Sequence, residues 1–124
     1  MNPRNLSTSP ITAPIQISLA EAGVRHKSLL AGPPETHFLR SGQVTLAPGD
    51  SVSLHSTQGG EELIIPLSGS GQLTGPEMDP LQIESGYVLY NPPQTWHRVS
   101  NNSAEPLIYV YVYAVPPDET DRAS

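Results

Sequence analysis

Apolar residues in this chain recur at every second position in short runs, and turn-forming residues cut the runs apart. Val52 and Leu54 alternate with Ser51, Ser53 and His55, so the two sets face opposite sides of a strand. The same pattern predicts strands over residues 36–46 (bent near Ser41-Gly42), 62–67, 72–74, 81–83, 87–90 and 96–100. Residues 107–113 alternate three tyrosines with Ile108, Val110 and Val112, and make the clearest strand of all. Between the strands lie Gly32-Pro33-Pro34, Ala47-Pro48-Gly49-Asp50, Gln58-Gly59-Gly60, Gly69-Ser70-Gly71, Glu84-Ser85-Gly86 and Asn91-Pro92-Pro93-Gln94, each a turn by composition. Residues 75–80, with Pro76 and Pro80, read as a loop. Pro66 inside its strand implies an edge or a bulge.

Before these strands the chain is rich in Ser, Thr, Pro and Asn, which predicts an arm that becomes ordered only by docking. Ile15-Gln16-Ile17 alternates as a short strand would, and Ser18-Leu19-Ala20-Glu21 has the form of a capping box for one helical turn ending at Gly23. Nothing is long enough at helical period for a full helix. The expected organisation is an arm over 1–24, a β-barrel over 25–115 and an acidic tail over 116–124. Roughly eight to ten short strands fit a closed or nearly closed all-β barrel.

Composition narrows the function. At 124 residues the chain is one domain, and its 14 prolines and 10 glycines account for many turns. With six Lys and Arg against twelve Asp and Glu, there is no basic surface for nucleic acid. The lack of Cys removes disulfides, thiolate zinc sites and cysteine nucleophiles. No apolar run is long enough to span a membrane, and no apolar segment of a secretory signal follows Met1. A cytoplasmic protein is the default expectation.

The chemistry concentrates between Gly49 and Asn101. His55 and Thr57 are two residues apart and share one side of their strand. Glu62 starts the antiparallel partner after the Gly59-Gly60 corner, and His97 lies on a third strand. Two imidazoles and a carboxylate suit a divalent first-row metal, and they leave coordination positions open for a substrate or O₂.

These residues resemble the two motifs of the cupin superfamily. Gly49, His55, Glu62 and Gly69 follow G-x5-H-x-H-x3/4-E-x6-G, with Thr57 where the second His stands. Gly86, Pro92, His97 and Asn101 follow G-x5-P-x-G-x2-H-x3-N, with Gln94 in place of Gly. The resemblance is to small single-domain members with a conserved barrel. It implies a jelly-roll-like all-β barrel, often a homodimer, with a divalent metal inside. Carried over residue by residue, it retains His55, Glu62 and His97 as metal ligands. Thr57 is no equivalent of an imidazole, though its hydroxyl can hydrogen-bond a metal-bound water. Three outcomes stay open: an open three-ligand site, a site completed by His37 or a tyrosine, or a site without metal.

The remaining residues divide as follows. Tyr109 and Tyr111 face one way with Tyr113, either as core or as hydroxyls near the metal. Glu61 points away from Glu62 as a solvated charge, His26 is a satisfied polar residue, and Trp96 points away from His97 to pack between sheets or subunits. The expected function is a metal-binding enzyme acting on a small polar molecule. Its ion would be Fe, Mn, Zn or Ni, and its chemistry that of a dioxygenase, lyase or isomerase. The alternatives are a non-catalytic barrel that binds a small ligand or sugar, and a barrel kept for dimerisation. Expected partners are a small molecule and a second copy in a homodimer, with no nucleic acid and no membrane.

Overall fold

The computed structural model describes residues 9–21 and 23–117. These hold nine strands and no helix: β1 His26–Ala31, β2 Leu39–Leu46, β3 His55–Ser56, β4 Glu61–Ser68, β5 Ser70–Gly75, β6 Met78–Glu84, β7 Leu89–Asn91, β8 Trp96–Ser100 and β9 Leu107–Ala114. Among the described residues, no helix is therefore long and apolar enough to cross a membrane. The first eight residues, residue 22 and the acidic tail from residue 118 on lie outside the described residues.

Two antiparallel sheets face each other. One has the order β1-β2-β9-β4-β7 and the other β3-β8-β5-β6. The core forms where their inner faces meet. Val44, Leu46, Ile64, Leu89, Leu107 and Tyr109 come from the larger sheet, and Leu73, Ile83 and Val99 from the smaller. Alternation supplies this core: in β8, His97 and Val99 are buried while Trp96 and Arg98 are exposed. Leu46 pairs with Leu107 at the foot of β2 and β9, and both are fully buried. Full burial of such side chains stabilises by about 1.5–3 kcal/mol each.

Asn101 closes the barrel's far end. Its buried amide donates to the carbonyls of Leu46 (2.9 Å) and Glu105 (2.7 Å), and its oxygen accepts from the backbone N–H and hydroxyl of Ser103. Its backbone exchanges bonds with the turn after β2: Gly49 donates to its carbonyl, and its N–H donates to Asp50. One side chain thus ties three segments, and a buried polar residue is tolerated because it is satisfied.

Several expectations change. Residues 78–80 belong to β6 rather than to a loop. β6 is the outer strand of its sheet, and its register with β5 shifts between the Leu73↔Leu81 and Gly75↔Met78 pairs, so Pro80 denies no ladder bond. Pro66 does sit at a bulge, where the β4–β9 register shifts between Pro66 and Ser68. Residues 36–38 form a bend before β2, and Tyr87 and Val88 lie exposed before β7. Residues 15–17 form no strand and 18–21 no helical turn. The N–H of Ala20, the second helical position of that capping box, donates instead to Oε1 of Gln43 at 2.8 Å. The arm docks by this bond, by Lys27 Nζ donating to the Ser18 carbonyl (2.7 Å) and by Ile11 N–H donating to the Glu35 carbonyl (2.9 Å). It covers the outer side of β2, which is why Ser41 and Gln43 are as buried as Gly42 and Val44.

Candidate metal centre

The larger sheet presents its inner side chains in rungs. The β2–β9 and β4–β9 registers align Leu46 with Leu107, then Val44, Tyr109 and Pro66, then Gly42, Tyr111 and Ile64, then Arg40, Tyr113 and Glu62. Successive rungs step by two residues, so each keeps its side chains on the same face. Apolar groups fill the foot and polar ones the mouth. Above the foot lies a cavity of about 460 Å³, a volume usual for a small-molecule site.

His55, Glu62 and His97 meet in this cavity, and their ligand atoms all lie within 4.8 Å of one another. They come from β3, β4 and β8. His55 and His97 are direct partners in the β3–β8 pairing, and their rings lie 4.3 Å apart at 62°. His97 is 1% exposed. Its Nε2 is 3.0 Å from Oε1 of Glu62, yet no described residue engages that buried nitrogen in hydrogen-bond geometry. The contact is close but not aligned.

The tautomers follow from the other ring nitrogens. Nδ1 of His97 lies 3.0 Å from the Thr95 carbonyl, and Nδ1 of His55 lies 2.8 Å from the Ser53 carbonyl. A carbonyl only accepts, so each Nδ1 carries the proton and each neutral ring keeps its lone pair on Nε2. A backbone carbonyl on the far nitrogen is the usual means of orienting a metal-bound imidazole. Glu62 is held as well: the Asn91 amide, directly across the β4–β7 pairing, donates to its Oε1 at 3.0 Å. Burial alone would lower the pKa of His97, but the Glu62 carboxylate and the Thr95 carbonyl outweigh it and raise the value above the ordinary one.

The other expected residues separate. Thr57 is 1% exposed and its hydroxyl is engaged: it donates to the Pro92 carbonyl (2.6 Å) and accepts from the Thr95 N–H (3.0 Å). It therefore clamps the loop whose Thr95 carbonyl orients His97, and its donor is not available to a metal-bound water. His37 neither completes the centre nor lines the cavity. It is exposed in the bend before β2, beside Phe38 and against the arm. Tyr109 and Tyr111 both line the cavity. Burial first, then the charge of Glu62, raises the pKa of each phenol, so both are neutral hydroxyls at ordinary pH. Trp96 does not pack between the sheets: it is 55% exposed on the outer side of β8. Glu61 is exposed and accepts from the Tyr90 hydroxyl at 2.6 Å.

Sequence reasoning missed His26 and Arg40 on the wall, and had Tyr113 only as one of three tyrosines on a shared face. Nε2 of His26 is 2.9 Å from the Tyr111 hydroxyl, the two rings stacking over Gly42. A Cβ at Gly42 would meet that hydroxyl at 2.5 Å and the imidazole at 2.8 Å, so only glycine admits the pair. Tyr113 donates to the Thr57 carbonyl at 2.7 Å, and Arg40 stands at the mouth. No local motif marks these positions. Only the strand register brings them beside the triad.

Residues 42–113 match the family model described as Cupin domain. That span is more than half of the chain. The chain belongs to the cupin family. Among solved structures, this cupin is similar to a Cupin 2 conserved barrel domain protein from Salinispora arenicola CNS-205, at 23% identity over 90% of this chain and 96% of that one, with a TM-score of 0.66. It is similar to the Cnp3 cupin domain of Schizosaccharomyces pombe, at 17% identity over 87% and 74% of the two chains, with a TM-score of 0.73. A third is an RmlC-like cupin family protein with a double-stranded β-helix fold from Methanocaldococcus jannaschii, at 16% identity over 91% and 100%, with a TM-score of 0.69. These likenesses show the fold. No curated protein matches the chain. Gln94, where the cupin pattern has Gly, takes φ +58°, the left-handed conformation that glycine adopts without strain. The turn before His97 is thus kept although its residue changed.

Proposed function

We propose that this cupin holds a divalent first-row metal through His55, Glu62 and His97 and is an enzyme acting on a small polar molecule in the cavity above it. The observation that carries this reading is the pair of oriented imidazoles. Both Nδ1 protons are tied to backbone carbonyls, and the buried Nε2 of His97 has no aligned partner beside a carboxylate oxygen. Nitrogen and oxygen donors of this kind fit Fe, Mn, Zn or Ni. Bound iron would supply oxygen chemistry, and Mn, Zn or Ni the Lewis-acid chemistry of a lyase or isomerase.

The chain's own contribution is positioning and exclusion of water. Val44, Val52, Ile64 and Val99 make apolar walls. The neutral Tyr109 hydroxyl faces the cavity and makes no hydrogen bond among the described residues, so it is free to donate to a bound molecule. Thr57 and Asn91 hold the ligand set without joining it.

Elemental analysis of untagged protein, with titration of the metal-free form, tests the reading. Stoichiometric binding lost in His97→Ala and weakened in Glu62→Gln is expected. Absence of binding, with both variants unchanged, refutes it. A second reading, a barrel that binds a ligand without chemistry, is favoured by Thr57: its engaged hydroxyl leaves three ligands where the family pattern has four. Turnover of any candidate substrate by metal-loaded protein excludes that alternative. The assembly we propose is a homodimer, and a monomer mass by light scattering refutes it.

A further inference from the structure

Among the described residues, Arg40 is the only Lys or Arg on the cavity wall. It forms no hydrogen bond or ion pair with any described residue, although the chain carries twelve acidic residues against six basic ones. Arg25, by contrast, pairs with Asp50. The guanidinium is nonetheless placed. It lies over Gly32 beside the end of β1, where a Cβ would meet its nitrogens at 2.8 and 3.0 Å.

The nearest acid on its rung is Glu62, and the two do not pair. The register sets Arg40 opposite Tyr113 on one side of β9 and Glu62 opposite Tyr113 on the other. Two strand spacings of ~4.8 Å separate their backbones. Tyr113 stands between them, its hydroxyl fixed on the Thr57 carbonyl. The cavity therefore has a guanidinium fork with no partner among the described residues at one side of its mouth and the His-Glu-His cluster at the other.

We propose that the molecule taken by this cavity is a small organic acid whose carboxylate is received by Arg40, while its other polar end faces His55, Glu62 and His97. This rests on the metal-centre reading for the second half of the placement only. A guanidinium fork matches a carboxylate with two parallel hydrogen bonds. A phosphate dianion fits less well, because the described residues of the wall offer one cation for its two charges. Apolar side chains below the rung suit the carbon skeleton between the two ends.

The experiment measures binding of lactate, malate and benzoate, each beside its neutral amide, by ligand-observed NMR and calorimetry. Wild type, Arg40→Gln and Arg40→Lys are compared, each metal-free and zinc-loaded. At least one acid is expected to bind wild type and to bind Arg40→Gln roughly ten to a hundred times more weakly, the value of a hydrogen bond to a charged group. Arg40→Lys is expected to recover part of the loss, and the amides to be insensitive to all three side chains. Zinc stoichiometry is expected to be the same in the three proteins. No acid binding to wild type, equal binding to Arg40→Gln, or amides binding as well as acids overturns the proposal. If wild type takes up no zinc but acids still depend on Arg40, the metal reading fails and the carboxylate site stands.

Discussion

Asn91 tests the centre through a side chain that is not a ligand. It is 2% exposed and donates one hydrogen bond, at 3.0 Å, to Oε1 of Glu62. Asn91→Ala deletes that donor and leaves the three proposed ligands in place. A hydrogen bond to a charged acceptor contributes about 1.5–3 kcal/mol. Loss of a partner that orients a metal ligand typically weakens the metal by about ten to a hundredfold, which is about 1.4–2.7 kcal/mol. The two routes agree, so zinc is expected to bind Asn91→Ala about thirtyfold more weakly. Competition against a chromophoric chelator at constant pH measures it, with a urea melt to show that the fold persists. Asn91→Asp sharpens the test. It sets a second carboxylate against Glu62, and like charges raise a carboxyl pKa in the folded state. A raised folded value costs nothing below the unfolded value of about 3.9 and destabilises as pH rises above it. The metal-free Asn91→Asp protein is therefore expected to match wild type in acid and fall behind it towards neutrality. Zinc affinity of Asn91→Ala within about threefold of wild type would show that the bond does not orient Glu62.

Two further outcomes follow from the geometry. Gln94→Gly relieves a left-handed backbone at φ +58°; the gain of about 1–2 kcal/mol less the flexibility of glycine leaves roughly 0.5–1 kcal/mol, read as a melting temperature a few degrees higher. In the metal-free protein, the raised pKa of His97 contributes stability that is fully present below about pH 6.5 and is lost as pH rises through the folded value; Glu62→Gln is expected to flatten that slope in urea melts across this range.

Local pattern was enough wherever one face of a strand is core and the other solvent. The strand 96–100 and the inward aim of His97 could be read directly, because Trp96 and Arg98 outside alternate with His97 and Val99 inside. Pattern failed where a neighbour from far along the chain intervened. Gln43 captured the Ala20 amide and dissolved the capping box. An outer position in its sheet admitted Pro80 to a strand. Strict alternation also placed Val52 opposite His55, yet both line the cavity. Only His55 and Ser56 pair as a strand there, and Ser51 makes an isolated bridge to Ser100, so the backbone between is free of the two-residue period.

The rungs explain why the centre was legible and its surroundings were not. His55, Glu62 and His97 fall within one stretch whose spacing constrains them. Arg40, Tyr113 and Glu62 share a rung only because β9 pairs with β2 on one side and β4 on the other. A slip of one residue between β2 and β9 would turn Ser41 and Gln43 into the cavity and carry Arg40 out of it. That register is held by groups remote from the chemistry. The Ser41 hydroxyl donates to the Tyr111 carbonyl at 2.6 Å, and the arm holds Gln43 outward through Ala20. The proposed recognition of an acid by Arg40 thus depends on the outer face of β2 as much as on the cavity itself.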